Sequence, residues 1–495
     1  MSSNVRIFTH PDYGIDENTS TILEKMAGTE GVVRPIVALP DVHFKYSYHT
    51  PTGVVVLSKD RIFPKFVNAN CAMSFIKTEF SSGDINENAL DSIFGYLQKN
   101  ISVSMRNAPI ISHDDLKHII KEGAGWAVEK HGIDPSDLMN FENNGSLFKN
   151  DKTDITEIMS YVPKACQNIG LFSIGVLGYG NHFIELQVID DIINKDVAGL
   201  FGIKKSQVCF MIHSDSRDFG QSIFDFYSQK AKKLFGAQQI YKKLYYSMFG
   251  SSYILRDFLR SVNKNLNRIK STVYWKVDKW NKKKNFIFEG IDANNEEGRS
   301  YLISTYCAIN FGYANRAYMA SVIQRALQKT FGKDGGCLNI LYDGNHDALQ
   351  KERIDGEEYY VHRNGACRAY PPRYFSGHPV FSKTGQPVLL PSSLGRHSFL
   401  CAATKGCAGS YYSTCHGTGR LVDRGAARQI FDAKNVIDEV RGNNVKIYDY
   451  GNGYIAEEAP KAFKDVDKIL DVISKNNIAE PVARLRPLAD LKGWR

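Results

Sequence analysis

No run of apolar residues in this 495-residue chain approaches the roughly 18 that a membrane-spanning helix requires. The opening MSSNVRIFTHPDYG lacks the apolar h-region of a secretory signal, so a cytosolic location is the default expectation. No cysteine pair has CxxC spacing, and the nine cysteines are odd in number and scattered. That excludes a disulfide framework and suits a reduced, intracellular chain whose cysteines are mostly small buried hydrophobes. Repeats and low-complexity linkers are missing too, which leaves one compact domain as the expected organisation of residues 1–495.

What is present is the composition of a globular protein, 43% hydrophobic and 23% charged, with a net charge of +9. The charge is local. Residues 228–285 hold 15 Lys/Arg against Asp257 and Asp278, so this segment carries +13 and the rest of the chain −4. Aromatic residues including Tyr241, Tyr245, Tyr246, Trp275 and Trp280 are laced through it. Such a stretch suits a nucleic-acid backbone with bases to stack on, or equally a helical hairpin with a solvated lysine face. It is expected to form a basic, mostly helical insertion over 228–290.

The coarse pattern is α/β in the mixed, α+β sense. Strands are predicted at 32–40, 52–58, 207–213, 337–343 and 387–391, all β-branched or apolar runs with turn residues nearby. Helices are predicted at 87–100, 221–236, 313–332 and 465–477, where apolar residues recur at three and four.

Four histidines sit at strand ends or in glycine-rich turns: His182 in GVLGYGNHFIE, His213 in VCFMIHSDSR, His346 in LNILYDGNHD and His416 in STCHGTGR. Imidazole and thiolate are ligands preferred by borderline divalent metals, so Cys71 is a candidate to join the first three in a metal site. Their spacing matches no local metal motif, and each is also readable as a structural histidine. His416 is flanked by residues too small to shield it; Gly417 and Gly419 let backbone and a ligand approach its ring.

Read in order, a series of segments resembles the RtcB-type RNA ligases. They are LPDVHFKYSYHTPTGVVV (39–56), FVNANCAMSF (66–75), GVLGYGNHFIE (175–185), IHSDSRDFG (212–220), NFGYANR (310–316), YDGNHD (342–347), VHRNGACRAYPP (361–372), LLPSSLG (389–395), CHGTGR (415–420), EEAPKAFKDVD (457–467) and RPLADLKG (486–493). The resemblance covers nearly the whole chain outside 76–170 and 228–300. It implies an RtcB-like fold and an enzyme that joins RNA 3′-phosphate or 2′,3′-cyclic phosphate ends to 5′-hydroxyl ends, in tRNA splicing or RNA repair, using GTP and Mn2+. His416 would carry GMP as a phosphoramidate and pass it to the RNA, giving an RNA-(3′)pp(5′)G intermediate; imidazole is a competent nucleophile near neutral pH.

The same resemblance implies two manganese ions on Asn68, Cys71, His182, His213 and His346. It maps Asn181, His182, Phe183, Ile184, Glu185, His346, Asp347, Ser393, His416, Gly417, Thr418, Gly419, Phe463 and Lys492 onto GTP contacts. Arg217, Arg420 and Arg424 match positions suited to RNA phosphates, each also readable as a structural ion pair. Asp41 and His43 lie in a further site loop. Implied partners are the RNA ends, GTP and, in some settings, an archease-type activator, with the protein a monomer or weak oligomer.

Several positions depart from the family's pattern. Asn68 replaces the usual aspartate, so its amide brings no charge to a metal. Asp347 stands where asparagine is usual and could restore a carboxylate near the site; Asn364 replaces a lysine and Ser392 a glycine. Two other readings stand beside the ligase: a metal-dependent RNA-end phosphohydrolase, and a non-catalytic RNA-binding homologue that uses the basic segment. Neither needs His416 as a nucleophile.

Overall fold

The computed structural model describes residues 4–44, 50–67, 70–230, 288, 290–332, 338–449 and 455–493. Helices and sheets share it, as the composition and periodicity predict. The larger sheet runs, edge to edge, Pro387–Leu390, Ser398–Ala403, Ala479–Lys492, Phe183–Ile192, Gln207–Asp215, Cys71–Ser81 and Asn339–Asn345. Every neighbouring pair along that path is antiparallel; Lys446–Asp449 adds an eighth strand, parallel to Ala479–Lys492. A five-stranded sheet runs Val5–Ile7, Val32–His43, Thr52–Ser58, Glu357–Asn364 and Asp347–Ile354. The α+β half of the expectation therefore describes the topology, and the strand-end argument has to be made for antiparallel neighbours.

Antiparallel pairing sets the start of one strand beside the end of the next. In the larger sheet this stacks the start of Phe183–Ile192, the end of Gln207–Asp215, the start of Cys71–Ser81 and the end of Asn339–Asn345 at one margin. Phe183 and Met73 both face His213 across the ladders, and Ala72 faces Asn345. Residues far apart in sequence are thereby neighbours along one edge. Side chains alternate between faces: Ile184, Leu186, Phe210 and Ile212 enter the main core, whereas Phe183, Cys209, Met211 and Met73 lie in a separate cluster on the opposite face.

The main core is organised by one helix, Glu296–Phe331, capped by Asn295, whose side chain accepts from the Gly298 N–H. Periodicity predicts only its last part, 313–332. Residues 307–317 are buried without a break, so this middle stretch of the helix is enclosed on all sides rather than amphipathic. Polar side chains on it tie down the site loops. Asn315 accepts from the Gly175 N–H at 2.8 Å and donates to the Asp215 carbonyl at 3.1 Å. Arg316 clasps Asp343 through Nε (2.7 Å) and a terminal nitrogen (2.6 Å). Gly312 has no side chain for a physical reason: a Cβ there would lie 2.8 Å from the Asn70 amide nitrogen, next to Cys71.

The helix Glu87–Asn100 and the strand Thr52–Ser58 match their predicted bounds, and the predicted 465–477 helix is Val466–Lys475. The helix predicted at 221–236 is seen as Arg217–Lys230. Residues 231–287, nearly all of the expected basic insertion, lie outside the described residues, as does Asn68.

Candidate active site and metal centre

At the strand margin the Cys71 sulfur lies 3.3 Å from His182 Nε2 and 3.0 Å from His213 Nε2, and His213 Nε2 lies 3.2 Å from His346 Nε2. All four side chains are buried. Backbone carbonyls fix two of the tautomers: His182 Nδ1 faces the Leu177 carbonyl at 3.0 Å and His213 Nδ1 faces the Asn181 carbonyl at 3.0 Å. Each Nδ1 must carry the proton, so each Nε2 presents a lone pair. Arg217 Nη1 also approaches His182 Nδ1, at 3.1 Å, but it is bonded to Asp215 Oδ1 at 2.7 Å, and the carbonyl is the acceptor that fits a protonated Nδ1.

Two lone pairs therefore converge on one thiol, which has a single proton to donate. A divalent cation is the ligand that such a surplus of acceptors fits. Burial holds His182, His213 and His346 well below the ordinary imidazole range, so all three rings are neutral donors at neutral pH. Burial, with Asp215 and Asp347 nearby, pushes the Cys71 thiol well up, so in the absence of a cation it keeps its proton. The donor groups fall into two sets that share the sulfur: Cys71, His182 and His213, and Cys71, His346 and Asp347. Within each set, one donor atom per residue lies within 4.8 Å of the others. Nitrogen, thiolate sulfur and carboxylate oxygen together suit a borderline transition metal.

His416 stands at the rim of this cluster, its ring centroid 5.0 Å from that of His346. It follows the short strand Ser413–Cys415, which pairs with Ala366–Arg368. His416 Nδ1 lies 2.6 Å from Asp41 Oδ2, and the same oxygen accepts the His416 main-chain N–H at 3.2 Å. Asp41 is fully buried, so the ring is held by a carboxylate that water does not screen. Gly419 has φ +72°, and a Cβ there would lie 2.2 Å from the Asp41 carbonyl oxygen. Gly419, three residues after the histidine, thus serves the approach of the Asp41 strand. His43 Nδ1 in turn lies 2.8 Å from the Asp41 carbonyl oxygen.

The remaining expected positions surround the same face. Glu185 is buried opposite Asp490 in the ladder, and burial together with Asp490 raises its carboxyl well above the usual range. Asp490 is pushed up to about 7, burial being the larger cause. Lys492 lies 5.6 Å from the Phe183 ring centroid and 3.7 Å from Glu458. Burial opposes ionisation of Glu458, but Lys492, Arg420 and Arg424 outweigh it and hold its carboxyl at about 2. Arg420 covers one face of Phe463 at 4.3 Å and bonds Glu458 at 3.4 Å. Arg424, with its side chain 44% exposed, donates to the Asn181 amide oxygen at 2.9 Å. Ser393 and Thr418 are buried polar side chains, whereas the Ile184 side chain points into the main core, on the other face of the strand.

Of the three arginines expected at RNA phosphates, then, Arg217 is packed against Asp215 beneath the histidines, Arg420 is paired with Glu458, and Arg424 is the most open to solvent. The glycine-rich turn before His182 makes room for two of them. A Cβ on Gly178 would lie 2.3 Å from an Arg217 nitrogen, and one on Gly180 would lie 3.2 Å from an Arg424 nitrogen. Asp215, Glu458 and Asp490 are site residues that the sequence reading did not assign. All three lie in segments that resemble the family, IHSDSR, EEAPKAF and RPLADLKG, but acidic residues are too common in sequence to be singled out there.

The sequence model of a family described as RtcB, tRNA-splicing ligase RtcB, matches residues 22–493. Similar curated proteins include the tRNA-splicing ligase RtcB of Pyrococcus furiosus, 28% identical over 95% of this chain and 44% of that protein. Another is the tRNA-splicing ligase RtcB of Methanococcus maripaludis, 27% identical over 97% of this chain and 92% of that protein. The chain spans about half the length of the Pyrococcus relatives it matches.

Proposed function

Because this chain belongs to the RtcB family of tRNA-splicing ligases, we propose that it is an RNA ligase that uses GTP to join a 3′-phosphate or 2′,3′-cyclic phosphate end to a 5′-hydroxyl end. The observation that carries the reading is the His416 ring, held by Asp41 at 2.6 Å and standing 5.0 Å from the ring of His346. Asp41 accepts a hydrogen bond from Nδ1–H, so the lone pair resides on Nε2. Nε2 attacks the α-phosphorus of GTP, a P–N bond forms and pyrophosphate leaves. Asp41 stabilises the positive charge that develops on the ring.

An oxygen of the RNA 3′-phosphate then attacks the same phosphorus, breaking the P–N bond and returning His416 to its neutral state. The 5′-hydroxyl of the second RNA attacks the activated 3′-phosphate and expels GMP. A cyclic phosphate is first opened by water to the 3′-phosphate. Cys71, His182 and His213 would hold a divalent cation, for which Mn2+ is the proposed identity, and it would supply neutralisation of phosphate charge and orientation of phosphate oxygens. Glu185, once ionised, is an acceptor for guanine N–H groups; Lys492, Asn181 and Arg424 offer donors to phosphate or base oxygens.

Incubation with α-labelled GTP and Mn2+ tests the reading. The wild type should acquire an acid-labile covalent label that is absent in His416→Ala, and should join a 3′-phosphate strand to a 5′-hydroxyl strand. A label that persists in His416→Ala, or no label at all, would refute it. Release of inorganic phosphate from the 3′ end without nucleotide would identify a phosphohydrolase instead, and RNA binding with neither activity a non-catalytic homologue.

A further inference from the structure

We propose that Lys464 is the residue that positions the Asp41–His416 pair: its ammonium holds the bulge that carries Asp41, and its main chain holds the turn that follows His416. The inference rests on reading His416 as the nucleophile, and it gives Lys464 a role exerted through Asp41.

Asp41 does not sit in a regular ladder. The strand Val32–His43 pairs with Thr52–Ser58 at Ala38 and Val54 and again at His43 and Thr52, so residues 39–42 stand opposite Gly53 alone. Such a bulge bends the strand and re-aims a side chain, here that of Asp41. Gly53 has φ +81°, and a Cβ on it would lie 2.6 Å from Asp41 Oδ1 and 2.8 Å from the Val42 main-chain nitrogen. A bulge also takes main-chain carbonyls out of the ladder, and buried ones need another donor. Lys464 Nζ is that donor: it bonds the Pro40 carbonyl at 2.9 Å and the Val42 carbonyl at 2.8 Å, one on each side of Asp41.

The same residue reaches the histidine through its backbone. Its main-chain N–H donates to the Gly419 carbonyl at 3.1 Å, and the preceding Phe463 bridges Arg420. One residue therefore ties down both partners of the 2.6 Å contact, Asp41 by its side chain and the turn after His416 by its main chain. Charge points the same way. Asp41 and Lys464 are both buried, and a buried carboxylate costs several kcal/mol without a compensating cation. Burial holds the Lys464 amine below its ordinary range, and Asp41 is the foremost influence raising it. Before the reaction His416 is neutral, so Lys464 supplies a positive charge that lets Asp41 stay ionised in the interior, ready for the charge that builds on the ring.

The test is single-turnover incorporation of label from α-labelled GTP with Mn2+ over a range of GTP concentrations, with thermal unfolding of each full-length variant as the control on folding. Lys464→Met removes the ammonium and keeps the stem. It should lower the maximal rate by about 100-fold, the loss that a misplacement of about 1 Å brings, and leave the GTP concentration at half-maximal rate unchanged. In an Asp41→Ala background the same change should cost nothing further, because Lys464 acts through Asp41. Lys464→Arg, which keeps the charge and the donors, should recover part of the lost rate. A wild-type rate in Lys464→Met would overturn the proposal, as would an undiminished loss in the Asp41→Ala background or an Arg variant no faster than the Met one. If Lys464→Met fails to fold, Lys464→Gln decides, since its amide keeps a donor but no charge: a lowered maximal rate that disappears in the Asp41→Ala background supports the role, and a wild-type rate refutes it. No label on wild type would refute the nucleophile reading, and the inference with it.

Discussion

Replacing Asp41 by asparagine separates the charge of the His416 partner from its shape. Asp41 Oδ2 accepts two bonds from His416, at Nδ1 (2.6 Å) and at the main-chain N–H (3.2 Å). An asparagine oxygen in the same place accepts both, so the ring stays in position and the tautomer is preserved. What is lost is the charge. A hydrogen bond to a charged group contributes about 1.5–3 kcal/mol and a neutral one about 0.5–1.5, so the change costs about 1–2 kcal/mol. If that difference is felt as positive charge builds on the ring, guanylylation slows by about 5- to 30-fold. Asp41→Ala removes the acceptor altogether, leaves two donors of His416 unsatisfied and frees the ring to rotate, and should cost more than about 100-fold. The assay is single-turnover incorporation of label from α-labelled GTP at saturating nucleotide and Mn2+, with thermal unfolding as a control on folding. A rate for Asp41→Asn equal to wild type would refute the claim that the carboxylate charge assists. Equal losses in Asn and Ala would show that the amide does not hold the ring as the geometry requires.

Two further predictions concern stability. Arg316 and Asp343 are completely buried and bonded through two contacts, so Arg316→Leu leaves an uncompensated carboxylate and should cost about 3–5 kcal/mol in urea unfolding; the double variant with Asp343→Leu should recover most of it, and a double variant no better than the single one would contradict the pairing. His362 is buried with Nε2 accepting the Phe63 N–H at 2.9 Å and Nδ1 facing the Val56 carbonyl at 3.3 Å, and burial holds it down at about 4 against about 6.5 unfolded. Below pH 6.5 the unfolded chain binds the extra proton, so the stability from the neutral ring is complete above that pH and lost progressively toward pH 4, by about 3 kcal/mol in all. His362→Gln should flatten that part of the pH–stability curve, and an unchanged slope would rule this histidine out as its source.

Legibility in the sequence followed how each element is buried. Thr52–Ser58 and Glu87–Asn100 carry the patterns of an all-apolar strand and a one-sided helix, and both were found at their true bounds. Ala479–Lys492, a central strand of the larger sheet, was not found. It contains Pro481 and Pro487, and its pairing with Phe183–Ile192 shifts register twice, which breaks the alternation by which a strand is recognised. Phe183–Ile192 was hidden differently: Glu185 and Gln187 are buried polar residues on its site face. The middle of Glu296–Phe331, residues 307–317, is buried on every side and has no solvent-facing stripe to give it a helical period. The site was legible as a set of residues but not as an assembly. Cys71 and His182 are 111 residues apart, and His213 and His346 are 133 apart; what unites them is the alternation of strand starts and ends, a property of pairing that no local spacing encodes.

The partners of the imidazole rings sort the histidines into two kinds. His182 and His213 each place Nδ1 against a main-chain carbonyl, while His416 places Nδ1 against the carboxylate of Asp41. A carbonyl fixes the tautomer and turns a lone pair outward, but as a neutral acceptor it does little to stabilise a charged ring. That is what a metal ligand needs, since a ligand stays neutral when it donates. A carboxylate fixes the tautomer too, and adds a full negative charge beside a ring that becomes cationic when Nε2 forms a bond. Asp41 belongs to the strand Val32–His43 of the smaller sheet, whereas His182 and His213 adjoin or belong to strands of the larger one. The proposed nucleophile, His416, is thus held against the histidine cluster by a carboxylate of the other sheet, and a perturbation that shifts the two sheets relative to each other should impair guanylylation before it impairs metal binding.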